Sequence, residues 1–164
     1  VMKKQVFIGF IIVLVLIQFI KIKKNESTDL TYDISNNYLV SNELNQLMKV
    51  SCFDCHSNNT TYPWYSKIQP AAWWLDHHVQ DGKKHLNFSE FTKSRIAVQN
   101  HKFEEIIEMV EDKEMPLPSY TYLGLHPEAN LTDKQRDLIV NWGINQMSYL
   151  KANFPEDSLV FRRK

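Results

Sequence analysis

"SCFDCHSNNTTYPWYS", Ser51 to Ser66, contains both cysteines of this 164-residue chain, three positions apart, with His56 directly after the second. Cys52-Phe53-Asp54-Cys55-His56 is C-x-x-C-H, the attachment signature of c-type haem. Two cysteines three apart on a helical turn face one side, so both thiols can add to the two vinyl groups. His56, one residue on, then places an imidazole over the iron as the proximal ligand. Covalent attachment lets a small protein hold a large apolar cofactor without a large pocket. Three other readings compete. A C-x-x-C redox pair normally follows a strand in a βαβ unit, and no strand pattern surrounds this one. A structural zinc site wants four ligands, and there is no second cysteine pair. A plain disulfide leaves His56 unexplained.

Downstream, the open question is the sixth iron ligand. Met115 stands first. It opens "MPLPSYTYLGLHPEAN", a 16-residue loop long enough to suggest function, and Pro116 fixes the backbone behind it. A thioether laid across the open haem face is a common axial arrangement for electron transfer. His126, in the same loop, is the runner-up. Met109 and Met147 lie on helices and are read as packing residues. His77 and His78, adjacent on a helix, point about 100° apart, so at most one faces the haem. They, with His85 and His101, are read as surface or satisfied histidines. Trp64, Trp73 and Trp74 cluster after the motif, and two of the three are expected in the core. Tyr62 or Trp64 is a candidate donor to a haem propionate.

The helical elements are legible from caps and periodicity. Ser41 caps a short helix carrying Leu44, Leu47 and Met48 that runs into the cysteine motif. A second helix starts at Pro70, and Gly82 is a candidate end. Phe103, Ile106, Ile107 and Val110 form one face of a third, stopped by Pro116 and Pro118. Thr132 and Gln135 match a capping box before Leu138, Ile139 and Trp142. The fold class is all-α.

Upstream, Val6 to Ile20 carries no charge and is flanked by Lys3, Lys4, Lys21, Lys23 and Lys24. Fifteen residues give roughly 22 Å of helix against a ~30 Å hydrocarbon core, and the lysines can snorkel to extend it. A cleaved signal peptide needs small residues that are missing here. The expectation is an uncleaved transmembrane helix within residues 1–24. A polar linker follows over 25–40, then a haem-binding domain over 41–150 and a tail over 151–164. This reading puts the chain in a bacterial inner membrane, single-pass, with the haem domain periplasmic. The net charge of zero hides a division: with the five N-terminal lysines removed from 19 basic and 19 acidic residues, the remainder carries −5. That argues against nucleic acid as partner.

The segments "TTYPWYS", "PAAWWL", "LNFSEF" and "MPLPSY", together with the C-x-x-C-H motif, resemble the haem-binding domain family of small membrane-anchored c-type cytochromes. The resemblance runs from about Leu44 to Trp142. It implies a cytochrome c-like helical domain with one covalent haem, thioether bonds at Cys52 and Cys55, and proximal ligation at His56. The expected function is electron transfer to or from a redox partner protein, without enzymatic turnover. Two rivals stay open. One is a haem enzyme or sensor, peroxidase-like or gas-binding, with an open sixth position and His126, His77 or His78 as distal group. The other is a haem module that only docks a redox partner.

Overall fold

The computed structural model describes residues 2–162. Among these the chain is helical, with a single isolated antiparallel bridge between Glu26 and Asn59. The helices are α1 (Met2–Ile17), α2 (Asn42–Ser51), α3 (Phe53–His56), α4 (Ala71–His85), α5 (Ile96–Glu111), α6 (Pro118–Thr121) and α7 (Asp133–Asn153), with short 3₁₀ turns between several of them.

The core is built on α5 and α7. Phe103, Ile106 and Val110 of α5 face Ile139, Val140 and Trp142 of α7, all buried. Gly143 allows the close approach, since a Cβ there would lie 2.9 Å from Ile107 Cγ1. Leu44, Leu47 and Met48 of α2 close the core from one side. The expected caps form. Ser41 accepts from the Leu44 N–H, and Thr132 and Gln135 complete a capping box. Phe103 is fully buried, with ring centroids of Tyr38, Phe91 and Trp142 at 4.9, 5.0 and 5.4 Å. A Phe103→Ala chain should therefore lose about 3–5 kcal/mol, read as a fall in urea midpoint. A loss under about 1 kcal/mol would mean the ring cluster is not the centre of the core.

The segment 25–40, read as a linker, is packed. Ile34 and Tyr38 are buried in the core, and Trp142 Nε1 donates to the Leu39 carbonyl at 3.0 Å. Asn25 is also buried. Its amide donates to the Ser57 carbonyl and to Thr60, and Lys83 donates to its side-chain oxygen. The tryptophan expectation also changes. Trp64 is 70% exposed, Trp73 38% and Trp74 43%, and only Trp142 lies in the core.

The expected transmembrane helix is corrected. No helix among the described residues is long and apolar enough to cross a membrane. The 16 residues of α1 span only about 24 Å, and they include Lys3 and Lys4. The helix stops at Ile17 because the chain turns back onto the domain. Gln18 Nε2 donates to the Leu14 and Gln69 carbonyls, and Gln18 Oε1 accepts from the Gln69 N–H. Gln69 Nε2 in turn donates to the Ile20 carbonyl. The last residues of the uncharged run are thus bound to the start of α4. The single-pass inner-membrane placement, with its periplasmic haem domain, falls with the helix it rested on.

Candidate functional site

The site begins where α2 gives way to α3. Cys52 leaves helical geometry (φ −129°, ψ −46°), and the His56 N–H closes the next turn onto the Cys52 carbonyl at 2.9 Å. His56 is then held by α4. Its Nδ1 lies 3.0 Å from both the Gly82 and the Leu86 carbonyl oxygens. A carbonyl can only accept, so Nδ1 carries the hydrogen and Nε2 keeps its lone pair. Burial pushes the His56 imidazole below its usual range. The two carbonyl bonds oppose that, and nearby His85 and Lys102 add to it. A neutral ring with a fixed tautomer and a free Nε2 is the form that binds a metal.

Gly82 makes this contact possible. As a glycine it marks a candidate helix end, yet α4 continues through it to His85. A Cβ at Gly82 would lie 2.7 Å from the Cys55 carbonyl oxygen. The glycine is there so that α4 can lie directly on the backbone of the cysteine motif.

A cavity of about 880 Å³ opens beside the motif, with Cys52, Cys55, His56, Phe88, Met109 and Met115 among its lining residues. Its lining is mostly apolar, and its size falls in the roughly 300–1,000 Å³ range of cofactor clefts. A smaller recess of about 40 Å³ shares Cys52, Cys55, His56 and Met115 and adds Trp74 and Tyr120. Both cysteines are free thiols. Burial pushes each up to about 11, opposed at Cys52 by the Ser51 hydroxyl and reinforced at Cys55 by Asp54 and Cys52.

Met115 reaches the cavity because the end of α5 is sharply turned. Lys113 adopts the left-handed conformation (φ 61°), and the Met115 N–H then donates to the Met109 carbonyl at 3.0 Å. Arg136 of α7 holds the turn, its Nη1 donating to the Met115 carbonyl at 2.7 Å and to the Val110 carbonyl at 3.0 Å. Sequence reasoning missed Arg136, which carries no local signal beyond its place on a helix. It also missed the second tie on this loop. The Tyr120 hydroxyl donates to Asp54 Oδ2 at 2.7 Å, while Asp54 Oδ1 accepts from the Thr61 N–H at 2.8 Å. Burial, and then the Asp54 carboxylate, push the Tyr120 phenol well above its ordinary range, so it stays a donor.

Not every candidate is brought to the cavity. His126 is buried away from it, with Nε2 2.8 Å from the Tyr65 hydroxyl, Nδ1 3.4 Å from Glu128, and its ring stacked on Tyr120 at 4.1 Å. His77, His78, His85 and His101 do line the large cavity. His78 donates from Nδ1 to the Trp74 carbonyl at 2.8 Å, and His101 lies 3.1 Å from both Glu104 and Glu105. Met147 packs on the core. Tyr62 accepts from the Asn25 N–H, and neither Tyr62 nor Trp64 lines either cavity. Among the described residues, no group of three or more His, Cys, Asp or Glu could hold a metal ion by itself, which gives the zinc reading no ligand set.

The residues present fit a haem. The His56 imidazole with its free Nε2, the two free thiols and the thioethers of Met48, Met109 and Met115 line one mostly apolar cavity. No curated protein and no solved structure matches the chain. The model of the haem-binding domain family matches residues 12–145, most of the chain including the whole site. The chain therefore belongs to the haem-binding domain family and binds haem.

Proposed function

We propose that the chain is a c-type cytochrome that carries electrons. Cys52 and Cys55 would hold the haem as thioethers, each thiol adding across one vinyl double bond, sulfur to one carbon and hydrogen to the other. His56 and Met115 would be the axial ligands. The observation that carries this reading is the convergence of the C-x-x-C-H motif, the Nδ1-fixed His56 and the backbone-anchored Met115 on one cavity. A bound haem supplies a one-electron iron couple. The chain's part is to keep both ligands in place in either oxidation state, which the Gly82 and Leu86 carbonyls do for His56 and Arg136 does for the Met115 backbone. No side chain need act as acid or base, and the second participant is a redox partner protein.

A second reading, a haem enzyme or sensor with an open sixth position, draws on His77 and His78, which line the same cavity. Of these, His78 has the better geometry, since its Nδ1 is committed to the Trp74 carbonyl and its Nε2 is left with a lone pair. Absorption spectra of the oxidised and reduced protein separate the two readings. A six-coordinate iron with a sulfur-to-iron charge-transfer band supports the carrier, and a five-coordinate iron supports the rival.

Attachment has its own test. Intact-mass measurement of protein made with a haem-attachment system should show one added haem and no thiol that reacts with an alkylating reagent. An unmodified mass, with haem that extracts into acidic organic solvent, would show that the haem is held without thioether bonds.

A further inference from the structure

We propose that the hydrogen bond from Tyr120 to Asp54 is a latch that closes the Met115 loop over the haem site, with Tyr120 and Asp54 as positioning residues. The inference rests on the reading of Met115 as the distal ligand. Three observations carry it. The bond joins α6 to the second variable position of the cysteine motif, 66 residues away, at 2.7 Å. It therefore connects the loop that presents Met115 directly to the turn that presents His56. Asp54 is also oriented independently, because its other oxygen accepts from the Thr61 N–H at 2.8 Å. Finally, the Tyr120 ring is backed by His126, stacked at 4.1 Å and itself buried and bonded to Tyr65 at 2.8 Å.

Together these ties make the segment a strap fixed at both ends. Arg136 holds the Met115 end from α7 at 2.7 Å, and Asp54 holds the other end from α3 through the Tyr120 hydroxyl at 2.7 Å. Pro116 and Pro118 between the two anchors reduce the conformations the strap can sample. A thioether is a weak iron ligand and stays bound only if the loop carrying it opens rarely. Releasing the Tyr120 end removes a hydrogen bond to a charged acceptor, so opening should become more frequent. The buried His126 and the half-buried Tyr65 have a role in this scheme that the haem site alone does not give them: they hold the ring whose hydroxyl makes the latch.

The experiment compares haem-loaded full-length wild type, Tyr120→Phe and Asp54→Asn. Tyr120→Phe keeps the ring and its stack on His126 but removes the hydroxyl. Asp54→Asn keeps an acceptor oxygen and removes the charge. Amide hydrogen exchange over residues 116–122 should rise about tenfold or more in Tyr120→Phe and by less in Asp54→Asn. Carbon monoxide binding to the ferrous protein should speed up in the same order, with a weakened sulfur-to-iron band in the oxidised protein. Unchanged exchange over 116–122 in Tyr120→Phe would overturn the latch. Faster exchange with unchanged carbon monoxide binding, in a protein that shows the sulfur band, would overturn its link to Met115. If wild type lacks the sulfur band, it is the ligation reading that fails, and hydrogen exchange alone then decides whether the strap is latched.

Discussion

Haem-loaded protein carrying Met115→Ala should lose the sulfur-to-iron charge-transfer band, bind carbon monoxide in the ferrous state, and drop in reduction potential by on the order of 100 mV, a fraction of the roughly 0.8 V that axial ligands control. The geometry behind this is specific. Met115 lines both the large cavity and the recess beside His56, and its backbone is fixed on both polar groups, N–H to Met109 and carbonyl to Arg136. Truncating the side chain leaves those backbone bonds in place, so the change is confined to the ligand. Met147→Leu is the control, since Met147 packs on the core away from the cavity. Two other thioethers line the same cavity, Met48 from α2 and Met109 from α5. If Met109→Ala removes the band and Met115→Ala does not, the thioether comes from the helix and the loop is only a cover. A persistent six-coordinate spectrum in Met115→Ala that disappears in His78→Ala would make the iron bis-histidine.

The second large effect is expected at Gly82. In an exposed helix interior, glycine to alanine stabilises by about 1 kcal/mol through propensity. Here a Cβ would lie 2.7 Å from the Cys55 carbonyl oxygen and 3.1 Å from Cys55 Cβ. Both neighbours belong to the motif and cannot rotate away, so α4 must move off α3. Overpacking of this kind costs about 1–3 kcal/mol, which exceeds the propensity gain. The displacement also stretches the two bonds that orient His56, because Gly82 supplies one acceptor and Leu86, one turn on, supplies the other. Gly82→Ala should thus unfold at lower urea and take up less haem per chain at equal protein concentration. Gly9→Ala, with nothing within 4 Å of the added Cβ, should be neutral or mildly stabilising. Full haem content and unchanged stability in Gly82→Ala would show that α4 can be displaced without disturbing His56.

Much of the architecture was legible locally. Helix caps act within three or four residues, which is why Ser41 and the Thr132–Gln135 box could be read before any packing was known. The apolar stripe of Phe103, Ile106, Ile107 and Val110 follows from helix periodicity, with Phe103, Ile106 and Val110 buried and Ile107 partly buried against the core. Where structure and local pattern differ, a distant partner overrules a local preference. The uncharged run to Ile20 suggested one continuous helix, but Gln18 and Gln69, 51 residues apart, bond to each other and end it early. Gly82 suggested a helix end, but tertiary packing uses it as the contact with Cys55. The polar stretch after Asn25 suggested a free linker, but Asn25, Ile34 and Tyr38 each have buried partners elsewhere in the chain.

The sequence by itself determined the helical class and the haem-binding motif, because caps, periodicity and C-x-x-C-H spacing are short-range properties of consecutive residues. Only the tertiary structure decided which nitrogen of His56 is free, that Met109 and Met115 share its cavity while His126 is turned to Tyr65, and that Asp54 reaches Tyr120. Those outcomes depend on contacts between residues 26 to 66 positions apart. Such contacts form only once the α5–α7 core has brought their helices together, and no local pattern encodes them.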